Sequence, residues 1–195
     1  MNGDNMKILE TERLILRNYK ETDFDDYWEF ASQPNVGPMA GWMPYTDKNK
    51  ARERLELEIS KPYQFAIVVK EENRVIGSIE IMECKKERYP GCEFEDNCRE
   101  IGYILSEYYW GKGYATEALK EIMRYSFNEL NVPSIFICHA KANIGSGKVQ
   151  DKCGFKVIGE YPNFRTWIDG TDTSCIMRKM TQEEYFELIN KQSRN

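Results

Sequence analysis

Glycines at positions 111 and 113, with Lys112 between them, stand where a β-prone run from Glu100 to Leu105 gives way to a long amphipathic stretch beginning near Tyr114. A strand, a tight turn and a helix start in that order can hold an anion. The glycines allow backbone angles that other residues resist and let a bulky group approach the main chain. The first amides of a helix have no acceptor inside it, and with the helix dipole they favour a phosphate. Gly-x-Gly also occurs in ordinary strand-to-helix turns, so alone it leaves both readings open. Two nucleotide motifs are excluded by spacing. A P-loop lysine is followed by Ser or Thr, whereas Lys112 precedes Gly113 and Tyr114, and the third glycine of the dinucleotide fingerprint would fall where Thr116 stands.

The elements that must position this turn follow from periodicity. Alternation around Leu14, Ile15 and Leu16 predicts a first strand, and Thr22 caps a short helix over Asp23 to Ala31. Pro34 to Pro44 reads as a loop. Thr46 or Asp47 caps a second helix running to Ser60, with Leu55 and Ile59 on one face. Phe65 to Val69 and Val75 to Met82, joined by Glu71, Glu72 and Asn73, read as a hairpin. Lys85 to Asn97, with Pro90 and Gly91, is an excursion before a strand from Arg99 to Leu105.

From Gly113, apolar residues at 115, 118, 119, 122, 123, 127 and 130 mark a long half-buried helix that Pro133 closes off. A strand over Ile135 to Ala140, a helix over Ile144 to Lys152, strands from Gly154-Phe155 to Met180 and a last helix over Gln182 to Lys191 complete the chain. Such alternation implies α/β or α+β, with a mixed sheet covered by helices on both faces. No repeat or linker divides the 195 residues, so one domain is expected.

Composition excludes several classes. Apolar residues make up 41% of the chain, which argues for a packed core rather than disorder. A net charge of −5 is a poor start for a general nucleic-acid binder and would suit a cationic amine. No apolar run is long enough to cross a bilayer, and Met1 to Arg13 lacks a signal-peptide core, so a cytoplasmic protein is expected. The six cysteines contain no CxxC pair and read as free thiols. With His139 the sole histidine, no metal site is expected.

A second motif follows the turn by about thirty residues: Asn143-Ile-Gly-Ser146, leading to Gly154-Phe155. Trp110-Gly-Lys-Gly-Tyr-Ala-Thr-Glu-Ala118 resembles the acetyl-CoA pyrophosphate loop of the GNAT acetyltransferases, and the second motif resembles the helix that flanks the pantetheine arm. The opening Glu10-Thr-Glu-Arg-Leu-Ile-Leu-Arg17 is similar to the first strand of the RimJ/RimL branch. These matches span residues 8 to 180. The resemblance implies a mostly antiparallel mixed sheet whose fourth and fifth strands splay around acetyl-CoA. Amides of Trp110, Gly111, Lys112, Gly113, Tyr114, Ala115 and Thr116 would hold the pyrophosphate. The backbone of Tyr103, Ile104 and Leu105 would pair with pantetheine, and Asn143 would hydrogen-bond the arm.

The implied activity is transfer of an acetyl group from acetyl-CoA to a primary amine, with a catalytically weak acyl-CoA-binding module as the alternative. An amine of pKa ~10.4 must lose a proton near neutral pH. Glu100, a strand glutamate of the RimJ/RimL pattern, is the candidate base. An amide near Ile104 would serve as oxyanion donor. Two positions depart from the superfamily: Tyr108 stands where Gln or Arg is common, and Gln150 stands where many members carry a tyrosine acid. The second departure moves attention to Ser146 as the acid or as a cofactor contact. Met39 and Trp42, in a loop resembling the acceptor side of this branch, are candidate substrate contacts, whereas His139 reads as structural. Tyr161, Phe164 and Trp167 supply aromatic surface for a homodimer interface or an acceptor wall.

Overall fold

The computed structural model describes residues 7–89, 91–166, 172–192 and 194. Two compact units divide the chain: Met1–Glu80 with Tyr103–Glu121, and Ile81–Gly102 with Ile122–Asn195.

In the first unit, β1 (Leu9–Glu10), β2 (Leu14–Arg17), β3 (Gln64–Val69) and β4 (Arg74–Glu83) pair antiparallel in that order. The C-terminal end of β5 (Arg99–Leu105) continues the sheet, where the Ser106 amide donates to the Ile76 carbonyl at 2.8 Å. Alternation in β2 buries Leu14 and Leu16, and β3 is buried along its whole length. Helices α1 (Phe24–Ala31) and α3 (Lys48–Ser60) lay Phe24, Tyr27, Phe30, Ala51 and Leu55 onto Ala66, Val68 and Val75. That core follows the helical spacing of the apolar residues. Asp47 caps α3 by accepting the Asn49 amide at 2.8 Å.

In the second unit, Arg99–Ile101 of β5 run parallel to Ile135–Ile137 of β6 (Ser134–Ala140). β6 pairs antiparallel with β8 (Asp172–Thr181), which pairs antiparallel with β7 (Lys156–Thr166). Helix α4 (Tyr114–Asn128) contributes Ile122, Met123 and Phe127 here, and the Phe127 ring stacks on Tyr185 of α6 (Gln182–Gln192) at 4.8 Å. The strand order is β1-β2-β3-β4-β5-β6-β8-β7, a mixed arrangement in which β5–β6 is a parallel pair and β1–β2, β2–β3, β3–β4, β6–β8 and β7–β8 are antiparallel.

Several sequence expectations need correcting. The segment Pro34 to Pro44 is not all loop, because Val36–Ala40 makes one helical turn, α2, ended by Gly41 in the left-handed region (φ 97°). Thr22 does not cap α1. A 3-10 turn, Glu21–Asp23, leads into it, and the Asp23 carboxylate accepts from the Lys20 amide and from Arg17 instead. Helix α4 ends at Asn128 rather than reaching Leu130, with Asn131 turning the chain at φ 51°. A strand before Leu14, β1, has no counterpart in the sequence reading, since two residues are too few to show a period.

Candidate active site

The glycine turn lies in the first unit. Gly111 and Gly113 both take positive φ, 74° and 87°, the region that penalises any side chain with a Cβ. α4 then begins at Tyr114, and the Glu117 amide closes its first turn on the Gly113 carbonyl at 3.0 Å. The elements on either side hold this turn firmly. Gln33, 5% exposed, donates to Ser106 Oγ at 3.1 Å and accepts the Glu107 amide at 2.9 Å. Asn35 donates to the Glu107 carboxylate at 2.7 Å, and the Tyr109 hydroxyl donates to Glu72 at 2.5 Å. The Trp110 indole donates to the Leu105 carbonyl at 2.8 Å.

Glu117, in the first turn of α4, would repel an anion at the helix start if it were unneutralised. Instead its Oε1 accepts from the Thr11 hydroxyl at 2.6 Å and the Arg13 amide at 2.8 Å, while Oε2 accepts Arg13 Nε at 2.7 Å. Arg13 also donates to the Lys112 carbonyl at 3.1 Å and lies over the Tyr114 ring at 4.5 Å. One arginine therefore cancels the misplaced charge and braces the turn. Burial alone would push the Glu117 carboxyl up, but the Thr11 and Arg13 hydrogen bonds outweigh it and hold the group below the usual carboxylate range. Its stabilising contribution is complete above the ordinary value of ~4.3 and is lost as pH falls through the lowered folded value. The melting temperature of Glu117→Gln should lie below that of the native protein at neutral pH, and the gap should close in acid. Thermal melts across pH check this, and a gap that widens in acid would be contrary.

The second unit places Glu100 on β5 with 4% exposure. It is no solvated strand-end charge: the Tyr89 hydroxyl donates to Glu100 Oε1 at 2.5 Å. Tyr89 is itself 1% exposed and also meets Cys138 Sγ of β6 at 3.3 Å. Burial, with Cys138 and Glu100 adding to it, pushes the Tyr89 phenol far above its usual range, so it stays a donor.

In the same unit Asn143 caps α5 (Ile144–Lys152), its Oδ1 accepting the Ser146 amide at 3.0 Å. Gln150, the residue standing where a tyrosine is common, donates to Ser146 Oγ and to the Cys138 carbonyl, both at 3.3 Å. Its Oε1 lies 2.8 Å from His139 Nδ1, which assigns that ring proton to Nδ1. Burial lowers the His139 pKa from its usual value, partly offset by Gln150. The sole histidine is thus neutral near pH 7 and partnered, as a structural residue would be.

Met39 of the first unit is 43% exposed, while Trp42 is half-buried against the α1–α3 core and 5.5 Å from the Tyr45 ring. Tyr161 packs into the second core beside Tyr89. The Phe164 side chain and Trp167 lie outside the described residues. Cys84, Cys92, Cys98, Cys138 and Cys175 share that core as free thiols. Among the described residues there is no cluster of metal-ligating side chains and no helix long and apolar enough to cross a membrane.

The acetyltransferase (GNAT) domain family matches residues 13–156. The chain is 32% identical over 159 residues to the uncharacterized N-acetyltransferase p20 of Bacillus licheniformis, covering 79% of this chain and 85% of that one. Its fold superposes on a GNAT-family acetyltransferase from Bacillus anthracis with a TM-score of 0.79 at 21% identity, covering 91% of this chain and all of the other. It also superposes on a spermidine N-acetyltransferase from Vibrio cholerae, in complex with CoA and spermine, with a TM-score of 0.72 at 20% identity, covering 90% of this chain and 99% of that one. The chain belongs to the GNAT acetyltransferase family and is an acetyltransferase.

Proposed function

We propose that this protein is an N-acetyltransferase of the RimJ/RimL branch that moves acetyl from acetyl-CoA directly to a primary amine. The observation that carries this reading is the braced glycine turn ahead of α4, with Arg13 neutralising Glu117 beside it. The amides of Gly111 to Thr116 take the pyrophosphate, the Trp110 amide donating instead to the Glu107 carbonyl at 3.3 Å, and the strand backbone of Tyr103, Ile104 and Leu105 pairs with pantetheine. The Leu105 carbonyl is already engaged by the Trp110 indole, so Tyr103 and Ile104 carry most of that pairing. Asn143 reaches the arm through its amide nitrogen, its oxygen being held by the Ser146 amide.

Acetyl-CoA supplies the activated acyl group and a thiol of good leaving ability. Glu100 takes the proton that the ammonium must lose, by way of water, in keeping with its burial. Ser146, oriented by Gln150, gives a proton to the departing sulfur. Met39 and Trp42 contact the acceptor. The two units work as one domain: the family match runs through both, and β4, β5 and α4 continue from one into the other.

Thiol release from acetyl-CoA over a panel of polyamines, amino acids, aminoglycosides and peptide N-termini tests the reading. Release that depends on one amine class is expected; release with none favours a binding module. Arg13→Gln should weaken acetyl-CoA binding roughly 5- to 10-fold, since it unbraces the turn and exposes the Glu117 charge to the phosphates. Titration calorimetry measures this, and unchanged affinity would remove Arg13 from the site. Sedimentation decides the homodimer expectation, which a single-chain mass at high concentration would end.

A further inference from the structure

The excursion between β4 and β5 has no place in the chemistry so far, yet it delivers Tyr89 into the second core. The single proton of the Tyr89 hydroxyl goes to Glu100, so at 3.3 Å the Cys138 thiol donates to the Tyr89 oxygen. A chain of donors, Cys138 to Tyr89 to Glu100, therefore ends on the carboxylate. The Tyr89 ring is fixed by edge contacts with Phe94 at 5.9 Å and Tyr161 at 6.3 Å, so the hydroxyl cannot wander from Glu100.

We propose that Tyr89 is a positioning residue for Glu100, orienting its carboxylate and setting the pH range in which it accepts a proton, with Cys138 polarising Tyr89 from behind. This rests on Glu100 being the base. The inference makes the excursion part of the working site rather than a surface elaboration. Titratable groups around the pair include Cys84, Cys92, Cys98, Cys175, Tyr161 and the neighbouring Arg99. Burial pushes the Cys84 and Cys98 thiols up, and a Cys92 hydrogen bond with burial lifts Tyr161 to about 12. His139, one residue along β6 from Cys138, is held below its usual value by burial, so the acid limb is read both with Glu100 present and in the Glu100→Gln background, where any limb that remains belongs to other groups.

The test is Tyr89→Phe, which keeps the ring and deletes the donor. A hydrogen bond to a carboxylate favours its ionised form, so the acid limb of turnover should move to higher pH. At neutral pH turnover should fall roughly tenfold, with KM for acetyl-CoA unchanged. In a Glu100→Gln background the same substitution should cost nothing further, whereas a packing role would multiply the two losses. If Tyr89→Phe does not fold, Cys138→Ala leaves the ring in place and should move the acid limb in the same direction by less. An acid limb that stays put in the folded variant, or losses that multiply, overturns the positioning role. A Glu100→Gln enzyme with native turnover and pH profile overturns the base assignment instead, so the two failures are distinguishable.

Discussion

Glutamine in place of Glu100 is expected to lower turnover by roughly 10²-fold at neutral pH, the usual worth of a positioned general base. The substitution is clean because a glutamine carbonyl still accepts the Tyr89 hydroxyl that meets Glu100 Oε1 at 2.5 Å, so packing and that hydrogen bond survive while basicity is lost. Acetyl-CoA affinity should hardly change, since the glycine turn proposed to hold the phosphates is made of other residues. Raising the pH should restore part of the rate, because more of the amine then arrives already neutral. Steady-state kinetics against pH, on an acceptor found by the thiol-release screen, reads all three. Native turnover and an unshifted profile would return Glu100 to a structural role.

The second large effect is on cofactor binding. Gly113→Val places a β-branched residue at φ 87°, where L side chains lose about 1–2 kcal/mol. Space is not the obstacle: a Cβ at 113 would meet only Arg13 Nη2, at 3.3 Å, and that side chain can yield. The backbone will instead relax towards negative φ and carry the turn amides away from the phosphates. Acetyl-CoA affinity should fall tenfold or more, about 1.4 kcal/mol or above. Gly91→Val is the control, because Gly91 has nearly the same φ, 86°, with nothing within 4 Å of its would-be Cβ. It carries a similar strain and should leave acetyl-CoA affinity intact. Equal losses in both variants would mean that strain, not amide placement, is being measured.

What could be read in the sequence was what has a short period or a fixed local spacing. The α4 stripe and the β3–β4 hairpin follow from spacings of three to four residues and of two, and both formed as expected. The glycine turn was legible for the same reason, since its chemistry lies within a few consecutive residues. One helical turn, Val36–Ala40, was hidden among Gly and Pro because five residues give no amphipathic period. The residues that brace the site were invisible for a different reason. Arg13 and Glu117 meet across 104 positions, and Gln33 and Ser106 across 73, separations only the fold can close. Arg13 lies inside the opening motif, but only the fold brings its guanidinium against Glu117. Tyr89 lies in an irregular stretch whose sequence marks it only as an insertion, and its importance rests on a hydrogen bond that no spacing rule encodes.

The central claim, direct acetyl transfer from acetyl-CoA to an amine, is most directly tested by following the acetyl group itself. Acetyl-CoA carrying an isotopic label in the acetyl carbonyl would be incubated with the protein and the best amine from the screen, and the products separated by mass spectrometry. The expected result is one labelled acetyl group on the amine nitrogen for each CoA thiol released. Label that remains on CoA, or that leaves only as free acetate at a rate indifferent to the amine, would contradict it.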